Sequence, residues 1–297
     1  MKPSPRTPAA RPTLRLRHAL LALGLGATLL AGPARAALDV DALWDFAQPV
    51  RTEQAFREAL GRAQGDEALI LVTQIARTFT IRGEFANAER ELDGIAAKLP
   101  TAGAEARVRE ALERGRILRG QGQGGQARPF FIRALEMARP AGLEALTADA
   151  MHSVALVEPT REGRLAWHER TLDYVREAKD ARARKWEPAA LNNMGITLNE
   201  MGRHDLALPV LQKALAIYQQ QGLAPAIRGG RWLVAHTQRM SGDLKAAQAG
   251  FESLEKDDAA AGIADRYVLN ELASVHEARG DAAAAEAYRK KSQAVAR

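Results

Sequence analysis

The stretch from Ala190 to Gly222, ALNNMGITLNEMGRHDLALPVLQKALAIYQQQG, decides the fold class. Leu191, Met194, Ile196 and Leu198 mark one apolar stripe, and Leu206, Val210, Leu211, Leu215 and Ile217 mark another. Apolar residues that recur at helical spacing share one face, so each stripe predicts an amphipathic helix. Gly202 stands at the break, where a residue without Cβ takes the left-handed backbone that ends a helix. The stretch therefore predicts two helices packed through facing stripes.

The same pattern recurs: a small residue, a glycine seven later, and a small residue five beyond that. It appears as Ala76, Gly83, Ala88; as Gly115, Gly122, Ala127; as Gly195, Gly202, Ala207; as Ala235, Gly242, Ala247; and as Ala273, Gly280, Ala285. The first members lie 39, 80, 40 and 38 residues apart, so the double gap predicts a degenerate copy near Ala155, with Pro159 near its turn and Trp167 at its second small position. An alanine-rich chain produces small pairs by chance, but not the fixed glycine between them. Gly242-Asp243 and Gly280-Asp281 place an acid where a helix start needs an acceptor. Pro100-Thr101 closes the first copy, with Thr101 the expected N-cap of the next helix, and Asp257-Asp258 reads as a turn between copies.

With these residues in place the chain resembles the tetratricopeptide repeat. Gly195, Gly202, Ala207 and Ala214 match its pattern with Leu191 and Leu211, and Gly115, Gly122, Ala127 and Ala134 match it with Phe131. Pro100 stands where the pattern's proline ends a copy. Ile95, Leu254 and Ser292 depart from it at the last small position, and Arg114 departs where an apolar residue is expected. The spacing exceeds that family's usual period of about 34. It is similar to the longer repeats of kinesin light chains, a likeness that Leu191-Asn192-Asn193 strengthens. The resemblance implies an all-α, right-handed solenoid of about six helix pairs over residues 67–297. Residues 37–66, with Trp44, Phe46, Phe56 and Leu60, read as a helical cap ahead of it.

Residues 1–36 read as a secretory signal peptide. Met1 to Arg17 is basic, His18 to Gly32 is an apolar run, and Ala34-Arg35-Ala36 offers the small-x-small cleavage pattern, with Ala37 the expected mature start. The run falls short of the roughly 20 apolar residues that span a bilayer. No later stretch reaches that length, so the expectation is a periplasmic or extracellular protein without membrane insertion after cleavage.

Composition supports a folded chain: of 297 residues, 46% are hydrophobic and 26% charged. The net charge of +6 lies in the N-terminal 36 residues, which hold six Lys or Arg and no acid; removing them leaves 42 − 6 = 36 basic against 36 acidic groups. A neutral remainder argues against nucleic acid, whose binding depends on phosphate neutralisation. Without cysteine there is no disulfide and no thiolate site. Gly120, Gly122 and Gly125 satisfy GxGxxG, but a dinucleotide site needs a strand before it, and here a helical stretch precedes an inter-helix turn. His152, His168, His204, His236 and His276 are scattered without zinc spacing. No catalytic motif occurs, so the expectation is a non-enzyme with no cofactor and no metal.

In tetratricopeptide arrays the first helices of successive pairs line a groove that receives a partner segment, and the resemblance implies the same here. Arg109, Arg116 and Arg119 share one face, with Arg77 added by the preceding copy. Guanidinium forks suit the carboxylates of an acidic segment or peptide end. The other reading is a solvated face balanced by Glu105, Glu110 and Glu113. Asn192, Asn193, Asn199, Trp232, His236, Arg239 and Asn270 project near the same side; Asn193 matches the place where the family binds a partner's backbone, and Trp232 serves either packing or a ligand. The reading is an exported interaction scaffold for a protein or peptide partner. A receptor for a small envelope ligand and a self-associating structural protein are the alternatives.

Overall fold

The computed structural model describes residues 39–295. The expected signal peptide lies outside them, as do residues 37–38 of the expected cap and 296–297 of the repeat domain. Among the described residues there is no strand. After a 3-10 turn at Asp41–Leu43 comes a cap helix, α1 (Pro49–Leu60). Six helical hairpins follow: α2 (Gly65–Ile81) with α3 (Phe85–Ile95), α4 (Ala104–Gly120) with α5 (Gly124–Ala138), α6 (Glu144–Val157) with α7 (Arg161–Glu177), and, after a one-turn α8 (Ala181–Arg184), α9 (Glu187–Glu200) with α10 (His204–Gln221), α11 (Ala224–Met240) with α12 (Leu244–Ala260), and α13 (Arg266–Ala278) with α14 (Ala282–Ala294). Helices pack on their neighbours along the chain and on the next first helix, as α2 does on α4 and α11 on α13. The fold is an all-α, tetratricopeptide-like solenoid.

The recurring small residues are points of close approach. A Cβ added at Gly195 would lie 2.4 Å from Cγ of Leu211, and one at Gly115 would lie 2.4 Å from Cε1 of Phe131. Leu211 and Phe131 are fully buried, so neither can yield without opening a void. Gly202 has φ +72°, and the glycines at the equivalent turns share this left-handed backbone. It turns the chain after one helix so that the next runs back along it. Asp243 and Asp281 then cap the second helices, accepting from the N–H groups of Ala246 and Ala284 at 3.1 and 3.0 Å.

Two local expectations are corrected. Thr101 is no N-cap: it ends a 3-10 turn, Ala96–Thr101, and its hydroxyl donates to Lys98 O. Gly103 takes the cap position, and its N–H donates to Asp66 Oδ2 at 2.9 Å, tying α4 to the start of α2. Asp257-Asp258 is not a turn but lies inside α12, where the buried Asp258 carboxylate accepts from Arg228.

The degenerate copy is α6 with α7. Its turn is made by extended backbone at Glu158 and Thr160 around Pro159, and Thr160 caps α7 by accepting from Gly163 N–H at 3.0 Å. The expected register is corrected here: counted from the helix start, Arg164 and not Trp167 stands where Ala207 and Ala247 stand in their helices, and Trp167 packs half-buried against the α4–α6 core. After this copy the inserted α8 packs on α6, while α9 packs on α7 as α6 packs on α5 and α11 on α10. The buried imidazoles of His152 and His168 lie in this copy, and burial pushes both down to about 4.

Gly195→Ala should cost about 1–3 kcal/mol by overpacking, and Gly202→Ala about 1–2 kcal/mol by left-handed strain. Gly94→Ala, inside α3 with nothing within 4 Å of its added Cβ, should instead stabilise by about 0.5–1 kcal/mol. Thermal melts giving all three the same sign would contradict the packing account. The two histidines also set a pH dependence. Below about pH 6.5 the unfolded chain binds protons that the folded imidazoles refuse until about pH 4, so stability falls across that window by up to about 1.4 kcal/mol per pH unit for each. Urea midpoints should lose that slope in a His152→Gln, His168→Gln variant.

Candidate functional site

The first helices α2, α4, α6, α9, α11 and α13 bring their outward residues to one inner face. On α4 the arginines do fall on one side, but they are not a row of free cations. Arg116 is 12% exposed, and its terminal amino group donates to both carboxylate oxygens of Asp149 on α6 at 2.6 Å. It also pairs with Glu113, whose side chain is 1% exposed. Burial works against the charge of Arg116, but the Asp149 and Glu113 carboxylates outweigh it and hold its pKa above the ordinary value. Burial likewise opposes the Asp149 charge, and the Arg116 and Arg77 guanidinium groups overcome it and lower that pKa. For Glu113 burial wins and raises the carboxyl, whose Oε2 has no hydrogen-bond partner. Arg109 pairs with Glu105 at 2.8 Å. Arg119 is exposed at the end of α4.

Arg77 differs from these. Its guanidinium lies over the rings of Trp44 and Phe46, 5.4 and 5.5 Å from their centroids, and has no carboxylate partner among the described residues. Burial, with Arg116 nearby, lowers its pKa.

Farther along, lateral ties again join successive first helices. Asn199 on α9 donates to Thr237 Oγ1 on α11 at 2.7 Å, and its carbonyl side lies 3.0 Å from His204 Nδ1. His236 and Arg239 on α11 converge on Glu271 of α13, at 2.9 and 2.6 Å. Burial opposes the charge of Glu271, and these two partners lower its pKa. Sequence reasoning missed Asp149, Glu271 and Asp258. The signal was an acid roughly one repeat after an arginine: Asp149 lies 33 residues after Arg116, Glu271 32 after Arg239, and Asp258 30 after Arg228.

Trp232 occupies the middle of the C-terminal half. It stacks on His236 at 4.9 Å, sets its edge against Phe251 at 6.2 Å, and holds its buried Nε1 without a partner. It also forms a wall between two inner clefts. One, of about 450 Å³, includes Asn192, Leu233 and Tyr267, which is 65% exposed. The other, of about 310 Å³, includes Ile196, Asn199 and Met240. Trp232 thus takes both roles, packing and wall. The structure brings Asn192 and Trp232 together, whereas Asn193 and Asn270 line neither cleft. Among the described residues no group of three or more His, Asp and Glu side chains is arranged to hold a metal ion, and no helix is long and apolar enough to cross a membrane.

A family model described as tetratricopeptide repeat matches residues 189–220. The likeness therefore falls on α9 and α10. Solved structures extend it across the solenoid. A Rap protein complexed with Competence and Sporulation Factor is similar at 19% identity over 86% of this chain and 74% of that one, with a TM-score of 0.61. NprR in complex with its cognate peptide NprX is similar at 12% identity over 85% of this chain and 76% of that one, with a TM-score of 0.56. The tetratricopeptide-like repeats of a P. anserina kinesin light chain homologue are similar at 14% identity over 67% of this chain and 99% of theirs, with a TM-score of 0.53. At these identities the likeness is one of fold. No curated protein sequence matches the chain.

Removing one partner of the buried inner pair leaves an uncompensated charge. Asp149→Ala should therefore cost about 3–5 kcal/mol in urea unfolding, and Glu277→Ala, which frees the exposed Arg289, no more than about 1 kcal/mol. Equal costs would show that the inner pair is not desolvated.

Proposed function

We propose that the protein is an exported, non-catalytic interaction scaffold that holds an extended partner segment on its inner face, across α9, α11 and α13. The observation that carries this reading is the meeting of two clefts at Trp232. An indole flanked by apolar depressions, with the Asn192 amide beside it, offers what a peptide needs: a desolvated anchor for a side chain and a hydrogen-bonding group for its backbone. The neighbours support it in kind, since the Rap protein was solved with Competence and Sporulation Factor and NprR with its cognate peptide. The inner arginines contribute less than their number suggests, because Arg109, Arg116 and Arg239 already bind carboxylates of the chain. An acidic partner segment would find Arg119 exposed and would have to compete for these three. Export rests on the sequence of residues 1–36.

The test is recovery of a partner by the exported form, whose first residue should be Ala37, from the envelope of its own cell. Ile196→Glu and Asn192→Ala should each reduce recovery by about tenfold or more while leaving the melting temperature within a few degrees, as expected for anchor positions. Undiminished recovery with both variants would remove the groove from the proposal, and a mature chain that still begins at Met1 would remove export.

A further inference from the structure

A third inner cleft takes no part in the groove around Trp232. It measures about 480 Å³, within the span of roughly 300–1,000 Å³ typical of small-molecule sites. Residues 41–46 form one wall, and α8 with the start of α9 forms the other. Both walls are fixed by particular contacts. The Trp44 indole stacks on Phe46 at 4.5 Å and donates from Nε1 to Gln74 Oε1 at 3.0 Å. On the far side Asp180 caps α8, and Arg184 donates to the carbonyls of Ala178 and Lys179 at 2.8 Å.

The charges lining this cleft sort into those already matched and those left over. Arg109 pairs with Glu105, Arg182 with Asp180, and Asp149 with Arg116. Two cations remain without a carboxylate bonded to them among the described residues: Arg77, on the floor under two aromatic rings, and Lys185, on the α8 wall. Two acids remain without a cation bonded to them. Asp41 lies on the opposite wall, and Glu144 accepts only the Asp180 N–H. The Asp149 and Glu113 carboxylates act on the Arg77 guanidinium from a distance, but none of its five N–H donors is hydrogen-bonded among the described residues, so it retains its demand for an acceptor. A purely anionic ligand would meet the two acids, and a purely cationic one would meet Arg77 and Lys185. Two cations and two acids without a bonded counter-ion thus line the same cleft, so its complement carries both signs.

We propose that this cleft binds a small zwitterion of the amino-acid type, a free α-amino acid or a dipeptide with an apolar side chain. Arg77 and Lys185 take its carboxylate, Asp41 and Glu144 take its ammonium, and Trp44, Phe46 and Trp186 cover its side chain. The site is separate from the partner groove and stands or falls independently of it.

Titration calorimetry on the whole folded chain, with the indole N–H resonances read in parallel, tests this. The probes are L-phenylalanine, the dipeptide Ala-Phe, N-acetyl-Ala-Phe and Ala-Phe amide. The free dipeptide should bind at least about tenfold more tightly than either blocked form, since each block removes one charge-assisted contact. It should shift Trp44 and Trp186 and leave Trp232 unmoved. Arg77→Gln, or the exposed Lys185→Gln should the first fail to fold, should abolish the preference for free acid over amide. Asp41→Asn should abolish the preference for free amine over acetyl. Tighter binding by phenylalanine or by the dipeptide tells which size the cleft takes. Binding by neither, equal binding of the blocked forms, or shifts confined to Trp232 would overturn the proposal.

Discussion

The solenoid depends on how closely the two helices of each hairpin approach. Where Gly195 meets Leu211 and Gly115 meets Phe131, the missing Cβ lets a bulky side chain lie against the backbone of the opposite helix. This sets the interhelix distance, and the distance sets how the next hairpin stacks. A left-handed glycine at the turn returns the chain at the correct angle, and an acid or threonine cap satisfies the N–H groups that the turn exposes. Each device is local, and together they let one unit be repeated with only its neighbours for support.

Local devices do not fix the register between hairpins on the inner face. There the chain uses polar ties about one repeat long: Arg116 with Asp149, Asn199 with Thr237, and Arg239 with Glu271. Buried charges of this kind add little net stability, because desolvation offsets much of their attraction, but each imposes a heavy cost on any arrangement that separates it. The same ties occupy cations that would otherwise face a ligand, so the charged groups still open to one are those the ties leave out.

The copy built from α6 and α7 is the one place where the repeat pattern lapses. Pro159 replaces the turn glycine, Arg164 stands where the regular second helices carry a small residue, and α8 is inserted before α9. The inserted α8 packs on α6 and α7, while α9 packs on α7 as the other first helices pack on the second helix before them. The break keeps the inner face from being uniform: a charged cleft with aromatic walls lies on one side of it, and the clefts around Trp232 lie on the other.

Sequence by itself determined the helices, their pairing, the five regular turns and the place of the irregular copy. These follow from apolar periodicity, the left-handed tolerance of glycine and the steric demand for small residues, all of which act over a few residues and leave marks at fixed spacing. It also placed Arg77, Arg116, Asn192 and Trp232 on the inner side. Only the tertiary structure decided what those side chains face. Whether a guanidinium is spent on Asp149, as for Arg116, or left over two rings, as for Arg77, depends on which residues some 30 positions away come within 3 Å, and that is set by stacking angles that no single copy encodes. The same holds for the start of α4, where Gly103 rather than Thr101 takes the cap position and donates to Asp66, and for Asp258, which reads as a turn residue by type but lies inside α12 with its carboxylate bound by Arg228.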